Sequence, residues 1–343
     1  MPNLVTIGIP VFQAKDYIEA TMQSALSQTY PNIEFLVVDD CGNDGTVDVI
    51  EQLQKSHPRG QSIRIVRNEH NMGVGPSRNR IIDEAEGRYL YFMDSDDVIE
   101  PNTIELLLEA ILQHQADIVY ASYEKIDNVD NGPTKQFVYP SLSLHQPEAL
   151  AMYAFKSYGS FQVSVCNWLV DLTFLRETGL KFIDAMYWED MAFTYELVTK
   201  VRRAVLLPNI AYHYLCRPHS LSNYHDREVI CKEEIQKNIS TIDYLKWKCR
   251  QLRDKTYAPY MCYDLEMNSF YIICHILKHQ QRISPSFTNA ELLQCMQLPL
   301  SFSDLVRFKH KRAYNIALWL IAHLPIPVFM PIIKVLGRKK GVL

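Results

Sequence analysis

No C-x-x-C pair and no zinc-type spacing occurs among the eight cysteines, at 41, 166, 216, 231, 249, 262, 274 and 295. Thiols scattered in this way exclude a disulfide scaffold and a zinc module, and read as reduced side chains in a cytoplasmic compartment. A basic excess is missing too. The formal charge of −4 over 343 residues leaves no overall footprint for nucleic acid. The opening MPNLVTIGIPV lacks a basic stretch and runs straight into a strand pattern, so no signal peptide is expected. Internal repeats and low-complexity tracts are absent. The only glycine-rich candidate, Gly73-Val74-Gly75-Pro76-Ser77-Arg78, is not G-x-G-x-x-G and does not follow the first strand. No Walker A lysine pattern occurs either, so dinucleotide and P-loop readings fail. What is there is a chain 48% hydrophobic and 22% charged, enough for one large domain or two ordinary ones.

The first 123 residues alternate strand and helix. Leu4 to Val11, Ile33 to Val38, Ile63 to Val66, Tyr89 to Met93 and Ile118 to Tyr123 are short apolar runs, as expected of strands covered on both faces. Between them, helical spacing predicts helices after Asp16-x-x-Glu19 and from Asn102 to Gln115, each opened by a capping-box pattern. A further helix carries Pro76 near its start and Gly87 past its end. The fold class that follows is α/β, a doubly wound, mostly parallel sheet flanked by helices. Ligands of such sheets sit outside the carboxyl ends of the strands.

Acidic clusters fall on that rim. Asp39-Asp40 ends the second strand, and Asp94-Ser95-Asp96-Asp97 ends the fourth. Like charges this close repel unless a cation or donors hold them ionised. Hard oxygen ligands at a strand tip suit Mg2+ or Mn2+ shared with a substrate phosphate. From the residues alone, two readings stay open: a solvated acidic loop or a divalent-cation site. Asn102 and Glu105 are expected to cap the following helix, which makes the aspartates surplus to local structure.

Several segments, in order, carry a resemblance: Ile9-Pro10-Val11-Phe12-Gln13, Ser27 to Glu34, Val37-Val38-Asp39-Asp40, Asp44-Gly45-Thr46, Asn71-Met72-Gly73, Ser77-Arg78-Asn79 and Phe92 to Asp97. Together they resemble the family 2 glycosyltransferases with the GT-A fold, over about the first third of the chain. Phe12-Gln13 and Cys41-Gly42-Asn43 depart from the family pattern, where Tyr-Asn and Gly-Ser-x are common. The resemblance implies an inverting transfer from a nucleotide-sugar, with UDP as the expected nucleotide. It implies that Asp40 accepts from the uracil ring and that Pro10 and Phe12 line the base pocket. It also implies that Asp94 and Ser95 contact the nucleotide, Asp96 with Asp94 holds the metal, Asp97 orients the acceptor and Arg78 faces the diphosphate. Asp39 would be structural.

Farther on, Met186-Tyr187-Trp188-Glu189-Asp190-Met191 opens a helix. Acids in a first turn suit the helix dipole, yet the resemblance places the general base at Asp190, with Glu189 orienting it and Trp188 stacking on a sugar. An acceptor hydroxyl needs such a base because its own pKa lies far above neutrality. Tyr212 to Ser222 resembles the family's closing loop, with Arg217 and Ser220 on the diphosphate. His213 and His219 stay open between metal ligation and polar filling.

The expected domains are a catalytic part, 1–224, with a nucleotide half at 1–123 and an acceptor half at 147–224, and a helical region, 225–343. Residues 301–343 hold eight Lys or Arg against Asp304, leaving about −11 to the rest. The uncharged stretch Ala313 to Ile333 is interrupted by Pro325, Pro327 and Pro331. Two short interfacial helices on an anionic leaflet are expected there. The localisation expected is cytoplasmic and peripheral on the inner face of the cell membrane, with a glycan or lipid-linked acceptor. Self-association stays open. The rivals are a sugar nucleotidyltransferase, a catalytically silent sugar-nucleotide binding subunit, and a scaffold whose tail is a protein interface.

Overall fold

The computed structural model describes residues 3–127, 134–157, 161–185, 188–217, 227–298 and 300–343. The chain divides into two compact units. The first comprises Met1–Leu150, Gln162–Asp184 and Glu189–Pro218. The second comprises Ala151–Phe161, Ala185–Trp188 and His219–Leu343. The division differs from the expected domains in that two short segments of the acceptor half cluster with the helical unit. Phe155, for instance, lies 5.7 Å from the ring of Tyr257.

The first unit begins with β1 (Val5–Val11), α1 (Ile18–Leu26), β2 (Ile33–Asp39), α2 (Thr46–Ser56), β3 (Ile63–Arg67), α3 (Val74–Glu84) and β4 (Tyr89–Phe92). It continues through β5 (Val98–Ile99), α4 (Thr103–His114), β6 (Ile118–Asp127), β7 (Lys135–Phe137) and β8 (Leu142–Leu144). Then follow α5 (Ala149–Lys156), β9 (Trp168–Asp171), α6 (Leu172–Glu177), α7 (Glu189–Lys200) and β10 (Ala204–Cys216). The sheet runs β3-β2-β1-β4-β9-β6-β10-β5, with β7 and β8 paired to β6 and β10. The first four strands in this order are parallel. β9 then enters antiparallel between β4 and β6, a turn of topology that the sequence pattern had not marked. Every residue of β1, β2 and β4 is buried, which is why their apolar runs read so plainly.

Two expected caps are corrected. The Asp16-x-x-Glu19 box does not form: α1 starts at Ile18 after Tyr17, with no side-chain cap. Asn102 likewise does not cap α4. Gln28 Oε1 accepts from the Ile104 amide at 3.0 Å instead, and Glu105 accepts from the Thr29 hydroxyl. A distant glutamine therefore supplies what the local sequence offered.

α3 lies over β1 because Gly8 leaves room for it. A Cβ on Gly8 would sit 2.3 Å from Ile81 Cγ2, far inside contact distance. At the other end of α3, a Cβ on Gly75 would meet the Ile183 carbonyl at 2.9 Å and approach Glu189 Cγ. Both glycines act through close approach, at Gly75 on α3 itself and at Gly8 beneath Ile81 of α3, and together they set where Arg78, between Gly75 and Ile81, can reach.

In the second unit, α8 (Lys232–Gln251) packs on α9 (Ala258–His279). α10 (Asn289–Cys295), α11 (Phe302–Arg307), α12 (Arg312–Ala322) and α13 (Ile326–Lys339) complete it. Thr288 and Ser301 form true capping boxes with Glu291 and Asp304. No helix of the described residues is long and apolar enough to cross a membrane.

Gly8→Ala should lower stability by ~1–3 kcal/mol through overpacking against Ile81. Urea unfolding followed by circular dichroism checks this; an unchanged midpoint would mean that α3 is free to shift.

Candidate active site

β4 stops at Phe92, and the chain leaves the sheet with Met93 still bonded to β1 through the Gly8 carbonyl at 3.0 Å. Asp94, Ser95, Asp96 and Asp97 follow at once. Their surroundings differ. Asp94 keeps part of its carboxylate in solvent and pairs with Arg78 Nη2 at 2.8 Å. Asp96 pairs with Arg217, whose guanidinium lies 4.7 Å from the ring centre of Tyr17. Asp97 is fully buried and accepts from the Tyr212 hydroxyl and, at 2.8 Å, from the Leu215 amide.

Arg78 is buried to 5% exposure. Its Nη1 donates to Glu189 Oε1 at 2.7 Å, so one guanidinium joins the tip of β4 to the first turn of α7. Phe182 stacks beneath it, 5.6 Å from the guanidinium carbon, and itself stacks on Phe193. Burial alone would weaken the positive charge, but Asp94 and Glu189 overcome it and hold Arg78 protonated more firmly than usual.

The carboxylates carry the opposite strain. Burial and the negative charge of Asp94 push Asp96 up to about 6, against the pull of Arg217. Burial, then Asp96 and Asp94, raise Asp97 well above the carboxylate range. Burial and Asp190 raise Glu189 to about 7 despite Arg78. Asp190 is raised by burial and lowered by Arg78, with a net upward shift. It remains half-buried, with one oxygen accepting from the Met191 amide.

On the neighbouring strand end, Asp40 is 3% exposed and accepts three hydrogen bonds. Asn68 Nδ2 and the Met72 amide reach Oδ1, and the Gly73 amide reaches Oδ2. Asp39, expected to be the structural member of the pair, accepts from the Gly42 amide and sits 3.9 Å from Arg67. The structural load thus falls chiefly on Asp40, which ties the end of β2 to the start of α3. A carboxylate has about four acceptor positions, so one is left on Oδ2. Pro10 is buried on β1, and Phe12 just beyond it is 43% exposed.

The placements of the remaining expected residues vary. Arg78, expected to face a diphosphate, is instead enclosed by its two carboxylates. His213 lies between Glu124 at Nδ1 and Glu100 at Nε2, both at 2.8 Å, so both nitrogens are already engaged. Trp188 belongs to the helical unit. Ser220 and His219 lie outside the described residues, as do Met186 and Tyr187. Sequence reasoning missed Tyr212, Tyr17 and Phe182. Tyr212 falls in a quoted motif, but nothing local marks it as the partner of Asp97, 115 residues away.

Among the described residues no three His, Cys, Asp or Glu side chains form a metal cluster by themselves. The donor set nonetheless fits a divalent cation shared with a ligand. Asp94 and Asp96 are two carboxylates with surplus negative charge, and Mg2+-type sites commonly use one or two carboxylates plus substrate phosphates.

An α/β sheet with a carboxylate cluster at the rim, beyond the ends of its parallel strands, is the arrangement of a GT-A type fold. Residues 6–169 match the family described as Glycosyl transferase family 2. It is similar to the glycosyltransferase TuaG of Bacillus subtilis (strain 168), 35% identical over 147 residues, 43% of this chain and 57% of that protein. It is also similar to UDP-Glc:alpha-D-GlcNAc-diphosphoundecaprenol beta-1,3-glucosyltransferase WfaP of Escherichia coli, 29% identical over 239 residues, 69% of this chain and 87% of that protein. Among solved structures it resembles S. aureus TarS 1-349, with a TM-score of 0.67 at 16% identity, covering 98% of this chain and 92% of that one. That protein was also solved in complex with UDP-GlcNAc.

Arg78→Met tests the clamp. Glu189 has a folded pKa above its unfolded one, so its ionisation costs stability as pH rises from about 4.5 and is complete above about 7. Arg78 offsets that cost. The variant should therefore lose ~3–5 kcal/mol at pH 8, and the gap should narrow toward pH 5. Equal gaps at both pH values, by chemical denaturation, would contradict it.

Proposed function

We propose that this chain is an inverting glycosyltransferase that moves a sugar from a UDP-linked donor to a hydroxyl of a glycan or lipid-linked acceptor. The observation that carries this reading is the meeting of Asp94 and Glu189 on Arg78, 16 and 111 residues away in sequence, with Asp96, Asp97 and Asp190 beside them. The donor class draws support from the relative whose name specifies UDP-Glc and from the fold neighbour solved with UDP-GlcNAc. The relative WfaP also bears a diphosphoundecaprenol acceptor in its name, which suits a lipid-linked acceptor here.

In this reading Phe12 and Pro10 bound the base, and Asp40 both fixes the neighbouring loop and offers its remaining acceptor position to the uracil N–H. Asp94 and Ser95 face the nucleotide. Asp96 with Asp94 would hold a divalent ion, Mn2+ or Mg2+, which would neutralise negative charge on the diphosphate when bound. Asp190 takes the proton from the acceptor hydroxyl as its oxygen forms the new bond to the anomeric carbon. The bond to the diphosphate breaks on the opposite face, which inverts the centre. Arg217, now closed on Asp96, turns to the departing diphosphate; Ser220 joins it. Stabilisation of developing charge by fixed donors is usually the largest catalytic contribution. Glu189 and Arg78 orient the base, and Asp97, locked by Tyr212, braces the acidic loop on the acceptor side.

The tail fits an anionic membrane surface. α13 exposes Val328, Pro331 and Val335 in one stripe beside Lys334 and Arg338, and α12 exposes Tyr314 and Leu320. Exposed apolar stripes flanked by basic side chains are the pattern of interfacial helices.

Asp190→Asn should lower turnover by about 10²–10⁴ with UDP affinity nearly unchanged, measured by donor consumption and calorimetry. Loss of UDP binding in that variant would remove Asp190 from the role of base. Flotation with phosphatidylglycerol vesicles should carry the intact chain upward at low salt, and Lys334→Glu with Arg338→Glu should abolish it; equal flotation of the variant would exclude the basic stripe as the contact.

A further inference from the structure

The helical unit contains a cavity of about 470 Å³, within the range of small-molecule sites. Its lining includes Trp188, Asn238, Asn268, Tyr271, Lys278 and His279. Asn238 projects from α8 and is 1% exposed, and its carbonyl oxygen has no hydrogen-bond partner among the described residues. A buried acceptor left without a donor is costly, and the position would be better filled by an apolar side chain unless something brings a donor. Trp188 stands at the same wall with φ 65°, a left-handed backbone that is unusual for a bulky residue. Such positions are retained where the surrounding structure needs a side chain aimed in one direction.

The chemistry of this lining is selective. Trp188 and Tyr271 offer aromatic faces, which suit the apolar C–H face of a pyranose. Asn238 and Asn268 offer amide groups for ring hydroxyls. Lys278 supplies positive charge at one side, with no acidic side chain in the lining.

We infer that this cavity is a second carbohydrate site, one that holds a saccharide bearing an anionic group such as a phosphate. The inference rests on the glycosyltransferase reading for its biological sense and extends it by assigning the acceptor chain a binding site in the helical unit. A saccharide hydroxyl donates to the Asn238 carbonyl, and Lys278 meets the anionic group.

The test is calorimetric titration of the full chain with α-D-glucose 1-phosphate in saturating UDP, against glucose and inorganic phosphate. UDP binding is measured first on the same sample and reports on the proposed function separately. Glucose 1-phosphate should bind with UDP present, more tightly than glucose, with inorganic phosphate weaker than either. Asn238→Ala and the exposed Lys278→Ala should each weaken it by about tenfold and leave UDP affinity unchanged. Absence of saturable glucose 1-phosphate binding in a sample that binds UDP would overturn the inference. Unchanged affinity in a folded Lys278→Ala variant, or inorganic phosphate binding as tightly as the sugar phosphate, would overturn it as well.

Discussion

The structure of the first unit depends on one guanidinium. Arg78 brings Asp94 and Glu189 together across a wide span of sequence, and without it the buried Glu189 would face the partly exposed Asp94 with no counter-charge. The helix that carries it is held in place by two missing side chains, at Gly8 and Gly75. Each remaining acid is relieved in a different way: Asp96 by Arg217, Asp97 by a tyrosine hydroxyl and an amide, Asp190 by partial exposure. Negative charge remains in excess all the same, as the raised positions of Asp96 and Glu189 record. In the proposed reading, a cation and a diphosphate would relieve that excess.

The pairing of Arg217 with Asp96 gives the mouth a second property. A basic side chain suited to a leaving diphosphate here neutralises an acid suited to a metal. Cation and diphosphate arriving together can replace both halves of that pair at little electrostatic cost. Binding of either alone would leave one charge uncompensated in a buried setting. In the proposed reading, joint binding of metal and nucleotide would be favoured by this arrangement of charges before any chemistry takes place.

Much of the nucleotide half was legible in the sequence because its signals are local. The buried runs Val5–Val11 and Ile33–Asp39 can hardly be anything but covered strands, and the aspartates announce themselves at the ends of such strands. What was not legible is long-range. Nothing near Asp16 or Asn102 reveals that Tyr17 would start one helix or that Gln28 would cap the other. The insertion of β9 between β4 and β6 depends on pairing across about 80 residues to β4 and about 50 to β6. Arg78 looked like a phosphate ligand because its partners come from elsewhere in the chain, and a buried ion pair leaves no local mark. Asp40 and Asp39 exchanged emphasis for the same reason. In the helical unit, the cavity beside Trp188 was invisible because its walls come from α8, α9 and the last residues of the chain.

The central claim is that acids from separate loops converge to receive a metal-bound sugar diphosphate. The most direct measurement is a crystal structure grown with UDP and Mn2+, with the manganese located by its anomalous signal. The account predicts one peak in contact with a carboxylate oxygen of Asp96 or Asp94 and with the diphosphate, and Arg217 released from Asp96. Manganese bound elsewhere, with the Arg217–Asp96 pair intact beside an ordered UDP, would contradict it.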